Sequence, residues 1–150
     1  MDFQSYCAKI EERFLKSEYI SISQDSFKML FAPKKPLSED TRVFCFIISS
    51  KSADQSLCRR LAAYAASAAF YNDREKPLKT VVLPLFVQDE ADDATISFLK
   101  ERAFKEEGAL VLPCVFSLSQ EKLLCCQSFP LLAAAQLKKI SDYAKNIMQP

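Results

Sequence analysis

Six consecutive apolar residues, from Val43 to Ile48, constrain the fold of this chain more than any other feature. They read Val-Phe-Cys-Phe-Ile-Ile, and the β-branched and aromatic residues among them favour strands. A strand with one face in water alternates apolar and polar residues, whereas an unbroken apolar run is typical of a strand buried on both faces. Residues 80–87 form a second run of this type. We therefore expect a central sheet covered by helices on both faces, as in an α/β protein.

The spacing of apolar residues predicts the remaining helices and strands. Apolar residues that recur every three or four positions predict amphipathic helices, and alternating or continuous apolar runs predict strands. Asp89 is the expected N-cap of the third helix. The predicted order is α-β-β-β-α-β-α-β-β-α, with helices at 3–16, 55–71, 89–105 and 131–148 and strands at 19–23, 27–31, 43–48, 80–87, 110–118 and 122–127. Since no linker, repeat or change in composition divides the chain, residues 1–150 are expected to form a single domain with a central mixed sheet.

The balance of charges limits the partners that the chain as a whole attracts. It has 20 basic and 19 acidic residues, which give a formal net charge of +1. A protein that coats nucleic acid non-specifically is usually far more basic, because each phosphate contact needs a cation. Binding to nucleic acid would therefore depend on a local patch. Lys51, Arg59 and Arg60 form one candidate patch, although charged residues on a helix surface more often only solvate it.

Histidine is absent and Gly108 is the only glycine, and both facts exclude classes of enzyme. Without histidine the chain cannot build a Ser-His-Asp or Cys-His arrangement, or use a histidine as general base. With one glycine it cannot build the Gly-rich turn of a P-loop or of a dinucleotide fingerprint.

Six cysteines raise the question of disulfide bonds and metal sites. Most lie in apolar runs, where cysteine behaves as a small buried hydrophobe. The N-terminal residues mix charged with apolar side chains, unlike a signal peptide, and no apolar run approaches the ~18 residues that span a bilayer. We therefore expect a cytoplasmic protein with reduced cysteines, no membrane contact and, without a Cys-x-x-Cys pair, no zinc site. Cys125 and Cys126 would point to opposite faces of a strand, and a redox role for them is the less favoured interpretation.

The end of the first buried strand carries the most informative motif. Ser49-Ser50-Lys51 ends that strand, and Gln55 opens the next helix. Together with the predicted element order, these residues resemble the restriction-endonuclease-like superfamily, the PD-(D/E)XK nucleases. In that family a hairpin precedes a buried strand that ends in an acidic residue, any residue and lysine. A helix follows, often with a glutamine near its start. The resemblance implies a restriction-endonuclease-like fold, with Lys51 and Gln55 at the positions of the family's lysine and glutamine.

The metal-binding part of this motif is degenerate. Ser49 stands where the family has an acidic residue, and the candidates for its upstream aspartate are Asp25, in the turn before the second strand, and Asp40, in the loop after it. In the family the carboxylates hold Mg²⁺ while the lysine orients or activates water. A hydroxyl in place of a carboxylate removes a full charge and weakens the binding of a hard cation. Mg²⁺ is therefore expected only if the site is rearranged, and no other cofactor is expected.

Three functions remain open. The first is a catalytically inactive nuclease-like module that binds protein or nucleic acid. The second is a metal-dependent nuclease with a rearranged site, in which a glutamate such as Glu11, Glu12 or Glu18 supplies a replacement carboxylate. The third is an oligomeric structural or assembly protein. Helix 131–148 is the candidate interface for a homo-oligomer, because its first residues are apolar almost all round.

Overall fold

The chain folds into one mixed sheet with helices on both faces. The computed structural model describes residues 1–16, 19–24, 27–33, 41–49, 55–72, 79–100, 104–106, 109–126 and 134–150. Within these ranges the chain forms four helices and eight strands: α1 (Phe3–Lys16), β1 (Tyr19–Gln24), β2 (Phe27–Pro33), β3 (Thr41–Ser49), α2 (Gln55–Asn72), β4 (Lys79–Gln88), α3 (Asp93–Lys100), β5 (Phe104–Glu106), β6 (Ala109–Val111), β7 (Cys114–Ser117), β8 (Lys122–Cys125) and α4 (Ala134–Met148). None of the helices in these ranges is long and apolar enough to cross a lipid bilayer.

The first four strands lie side by side in chain order. β1 and β2 form an antiparallel hairpin, and β2 is antiparallel to β3. β3 is parallel to β4, and α2 makes the connection between them. On its other edge β4 pairs in parallel with β6 and then with β7, while β5 and β8 add antiparallel partners outside these two strands.

The two central strands are buried on both faces, as the apolar runs predict. From Val43 to Ile47 the odd-numbered residues of β3 belong to one buried cluster, which includes residues of α1 and α4. From Phe44 to Ile48 the even-numbered residues belong to a second cluster with residues of α2 and α3. Because alternate side chains of a strand point to opposite faces, the sheet lies between these two helix pairs. The mixed α/β architecture is therefore confirmed.

The predicted third helix is wrong at both ends. α3 begins at Asp93, and the Thr95 backbone N–H donates a 2.8 Å hydrogen bond to Oδ1 of Asp92. Asp92, and not Asp89, is thus the N-cap. The helix ends at Lys100, and Phe104–Glu106 forms a short strand antiparallel to β6. Pairing with a neighbouring strand has overridden the local preference for helix in this segment.

The predicted strand 110–118 is two strands, separated at Leu112 and Pro113. Both pair with β4 in one continuous register, which matches Val82 with Val111 and Leu85 with Cys114. Continued across the gap, this register places Pro113 opposite Pro84 of β4. Since proline has no backbone N–H, the ladder is interrupted at the point where neither strand can donate a hydrogen bond.

Candidate functional site

The carboxyl ends of three parallel strands meet at one edge of the sheet. Ser49 at the end of β3 pairs with Val87 of β4, and Gln88 at the end of β4 pairs with Ser117 at the end of β7. We call Ser49, Gln88 and Ser117 the carboxyl edge. In open α/β sheets, ligands usually bind outside the carboxyl ends of the strands. This edge is therefore the candidate site.

Gln88 is the most unusual polar side chain at the carboxyl edge. Its exposed fraction is 3%, and its Nε2 donates a 3.1 Å hydrogen bond to Oγ1 of the buried Thr95. Its Oε1 is buried and accepts no hydrogen bond from the described residues. An unpaired buried carbonyl costs about 1–3 kcal/mol, so such an atom calls for an explanation.

Ser117 is buried beside Gln88 in a region fixed by backbone hydrogen bonds. Its Oγ lies 3.3 Å from Oγ of Ser119 and accepts a 3.4 Å hydrogen bond from the Gln120 N–H. The Leu118 N–H donates to the Gln88 carbonyl at 2.8 Å, and the Ser119 N–H donates to the Asp89 carbonyl at 2.9 Å. These bonds tie the turn between β7 and β8 to the end of β4.

Exposed carboxylates line the chain directly after β4. Asp89, Glu90, Asp92 and Asp93 are all exposed. Hydrogen bonds from the Thr95 hydroxyl and N–H hold the pKa of Asp92 below its ordinary value, in keeping with its capping role. In the parts of the chain that the structure describes, no three Asp, Glu, His or Cys side chains converge as a metal site.

The structure brings only part of the predicted motif to this edge. Ser49 is exposed at the end of β3, and Gln55 is the first residue of α2. Arg59 and Arg60 are exposed on α2. The other predicted site residues, namely Asp25, Asp40 and Lys51, lie outside the described residues.

Two of the glutamates proposed as replacement ligands, Glu11 and Glu12, lie on α1, and Glu11 is half-buried there. Glu12 is exposed on α1 and makes a 2.7 Å salt bridge with Lys16 one turn later. The hydrogen bond and the charge of Lys16 lower the pKa of Glu12. Glu12 thus takes part in an ordinary i,i+4 pair on a helix surface. Glu18 lies outside the described residues.

Sequence reasoning missed Gln88, Thr95 and Ser117. A weak signal was present, because Gln88 is the polar residue that ends the second apolar run and Ser117 is polar within the apolar segment 110–118. Their convergence depends on the pairing of β4 with β7. Comparisons with protein-family models, with curated proteins and with solved structures give no significant match.

Proposed function

We propose that this chain is a catalytically inactive module related to the restriction-endonuclease-like nucleases, and that it binds a partner macromolecule at the carboxyl edge. The order of the first six elements supports this relationship. A hairpin, β1 and β2, precedes the buried strand β3, and α2 and β4 follow. This is the plan on which the resemblance to the PD-(D/E)XK nucleases rests.

The loss of catalysis is inferred from Ser49. This residue ends β3, where the family has a metal-binding carboxylate, and its side chain is exposed at the carboxyl edge. A neutral hydroxyl is a poor substitute for a carboxylate in binding Mg²⁺, which prefers charged oxygen ligands. We therefore propose no metal cofactor for this chain.

The observation that carries the binding role is the buried amide oxygen of Gln88. Its Oε1 is buried at the edge without a donor from the described residues. We propose that binding turns the Gln88 amide outward, so that an N–H or O–H group of the partner satisfies this atom. The exposed carboxylates of Asp89, Glu90 and Asp93 flank it and would repel phosphate groups. The described part of the edge therefore favours a protein partner over nucleic acid.

The test compares Gln88→Met with Gln136→Met, the same substitution at an exposed position of α4. Partners that wild-type protein captures from its source cells are identified by mass spectrometry and purified, and their affinities are measured by calorimetry. We expect Gln88→Met to weaken binding about tenfold, which corresponds to about 1.4 kcal/mol. Gln136→Met should bind like wild type. Equal affinities for all three proteins would place the binding surface elsewhere.

Gln88→Met should also have a characteristic effect on the free energy of unfolding. The substitution removes the hydrogen bond to Thr95 but also removes a buried carbonyl that has no donor among the described residues, and these two effects oppose each other. We expect the free energy of unfolding to change by less than about 1 kcal/mol. A variant that binds poorly while remaining fully folded identifies Gln88 as part of a binding surface.

The second candidate is a nuclease with a rearranged site, favoured by the exposed Asp89 and Glu90 directly after the carboxyl edge. Purified protein is incubated with DNA and RNA in the presence of Mg²⁺ or Mn²⁺, alongside Lys51→Ala. Cleavage that Lys51→Ala abolishes would overturn the proposal of an inactive module. Binding of the same oligonucleotides without cleavage, weakened by Arg59→Ala or Arg60→Ala, would establish nucleic acid as the partner instead of protein.

The proposed homo-oligomer depends on the surface of α4. Ile140, Ala144 and Ile147 are buried in the core shared with α1. Among the described residues of this helix, the exposed ones carry no large apolar side chain. Of the apolar residues 131–135 that suggested an interface, 131–133 lie outside the described ranges and Ala135 is exposed on α4. A solution mass of one chain, measured by light scattering, would count against this alternative.

A further inference from the structure

Two cysteines face each other across the hairpin of β7 and β8. Cys114 and Cys125 are partners in the antiparallel register of these strands. The next pair in that register is Pro113 with Cys126, and the Cys126 N–H donates a 3.1 Å hydrogen bond to the Pro113 carbonyl. Hydrogen-bonded and non-hydrogen-bonded pairs alternate in an antiparallel ladder, so Cys114 and Cys125 form a non-hydrogen-bonded pair.

This register suits a disulfide bond. Residues in non-hydrogen-bonded pairs have Cα atoms about 4.5 Å apart, with their side chains close together. Disulfides usually join residues whose Cα atoms are about 4.4–6.8 Å apart. Both thiols are free in the structure. The register therefore pairs these two cysteines in the arrangement whose usual Cα separation falls within the disulfide range.

The surroundings of the two thiols differ. Cys114 is buried in the core, where its hydrogen bond with Cys125 and its burial raise its pKa well above the ordinary thiol value. Cys125 is half-buried at the edge of a small cleft between β8 and α4. The hydrogen bond with Cys114, the charge of Lys145 and a hydrogen bond with Ser141 lower the pKa of Cys125, although burial opposes them. Cys125 is thus the more accessible thiol and the better nucleophile.

We propose that Cys125 and Cys114 form a peroxide-sensitive thiol pair, in which Cys125 reacts first and Cys114 resolves the product to a disulfide. The Cys125 thiolate attacks one oxygen of hydrogen peroxide, the O–O bond breaks, and sulfenic acid and hydroxide form. The Cys114 sulfur then attacks the Cys125 sulfur, the S–O bond breaks and water leaves with the proton of the Cys114 thiol. Two thiols are oxidised and one peroxide is reduced to two waters. A dithiol reductant reverses the change by thiol–disulfide exchange. This inference does not depend on the proposed function.

Peptide mapping tests the connectivity. The purified full chain is treated with hydrogen peroxide, its remaining thiols are alkylated, and it is digested with trypsin without reduction. Because trypsin cleaves after Lys122, the proposed disulfide joins the peptide of Cys114 to the peptide of Cys125 and Cys126. We expect this cross-linked pair in wild type and in Cys126→Ser, and its loss on treatment with dithiothreitol. A link that disappears in Cys126→Ser, or that joins two chains, would overturn the proposal.

The order of the two steps is tested by trapping sulfenic acid with dimedone. Cys114→Ala lacks the resolving thiol, so a dimedone adduct should accumulate at Cys125. Cys125→Ser should form neither the adduct at this position nor the disulfide. If Cys114→Ala forms no adduct at Cys125 although its melting curve shows a folded protein, the assignment of the nucleophile is wrong.

A surface variant tests the same assignment without a change in the core. The groups that face Cys125 are Cys114 of β7, and Lys145 and Ser141 of α4. Lys145→Met should slow peroxide oxidation of Cys125 several-fold and move the midpoint of its alkylation rate to higher pH. Lys139→Met, an exposed control on the same helix, should behave like wild type. Identical rates and midpoints for both variants would contradict the proposed activation of Cys125.

Discussion

The phenol of Tyr6 in α1 donates a 2.7 Å hydrogen bond to the backbone carbonyl of Met148, the last residue of α4. The Tyr6 ring also stacks on Phe116 of β7, with 4.1 Å between ring centroids and 21° between ring planes. Tyr6 has no exposed surface. One side chain therefore joins the two helices on this face of the sheet and packs both against the strand that carries Cys114.

Replacing Tyr6 with phenylalanine should lower the free energy of unfolding by about 1–3 kcal/mol. The stacked ring remains, but the substitution removes the donor to the Met148 carbonyl in a buried environment. Chemical denaturation followed by circular dichroism measures the effect. Tyr64→Phe is the matched control, because Tyr64 is 37% exposed, and it should change stability by less than about 0.5 kcal/mol. Equal effects of the two substitutions would mean that the Tyr6 hydrogen bond contributes nothing.

The same tyrosine should make the protein sensitive to alkaline pH. Burial raises the pKa of Tyr6 above its ordinary value of 10.0, so the folded state holds this proton more tightly than the unfolded state. The stability that the protonated Tyr6 contributes is fully present below about pH 10. It is lost as the pH rises from there towards the pKa of Tyr6 in the folded state. The stability advantage of wild type over Tyr6→Phe should thus shrink above pH 10, by up to roughly 1.4 kcal/mol per pH unit. The free energy of unfolding of both proteins is measured by chemical denaturation from pH 7 to pH 11. A difference between the two proteins that stays constant over this range would contradict the prediction.

The central part of the fold is the part that the sequence predicts best. β3 and β4 can be recognised because an apolar run of a few residues is enough to indicate a strand that is buried on both faces. β5 was missed, since three residues become a strand only through pairing with β6. The break at Pro113 had a local signal, because proline inside an apparent strand argues against an uninterrupted ladder.

The candidate site likewise has a part that local sequence predicts and a part that depends on strand pairing. Ser49 could be placed from the end of one strand, which is local information. The meeting of Gln88 with Ser117 depends on the register between β4 and β7, which no short segment encodes. The facing of Cys114 and Cys125 likewise follows from the pairing of β7 with β8. Adjacent cysteines were expected on opposite faces of a strand, yet Cys125 and Cys126 line the same cleft. β8 ends at Cys125, and Cys126 keeps a backbone hydrogen bond to Pro113 although its side chain no longer follows the alternation of faces.

Gln149 should protect the start of β8 from hydrogen exchange. Its Oε1 accepts a 2.8 Å hydrogen bond from the Leu123 N–H, and its Nε2 donates a 2.8 Å bond to the Glu121 carbonyl. Gln149→Ala removes both bonds and should cost about 1 kcal/mol, with faster exchange of the Leu123 amide. Exchange followed by NMR measures the rate. Gln149→Glu keeps an acceptor but no donor, so it should preserve more of the Leu123 protection than alanine does, and Gln136→Ala should leave this amide unchanged. A Leu123 rate that is the same in Gln149→Ala and wild type would refute the prediction.

Glu121, in the turn between β7 and β8, should be replaceable by glycine with a gain in stability. Its φ angle is +49°, in the left-handed region where a Cβ atom is unfavourable. Glycine relieves this strain, although it also has more freedom in the unfolded chain, and the expected net gain is roughly 1 kcal/mol. Glu121→Ala is the matched control, because it removes the same carboxylate but keeps the Cβ atom. We expect Glu121→Gly to be more stable than Glu121→Ala in chemical denaturation. If the two variants unfold at the same denaturant concentration, the left-handed conformation of Glu121 is not a source of strain.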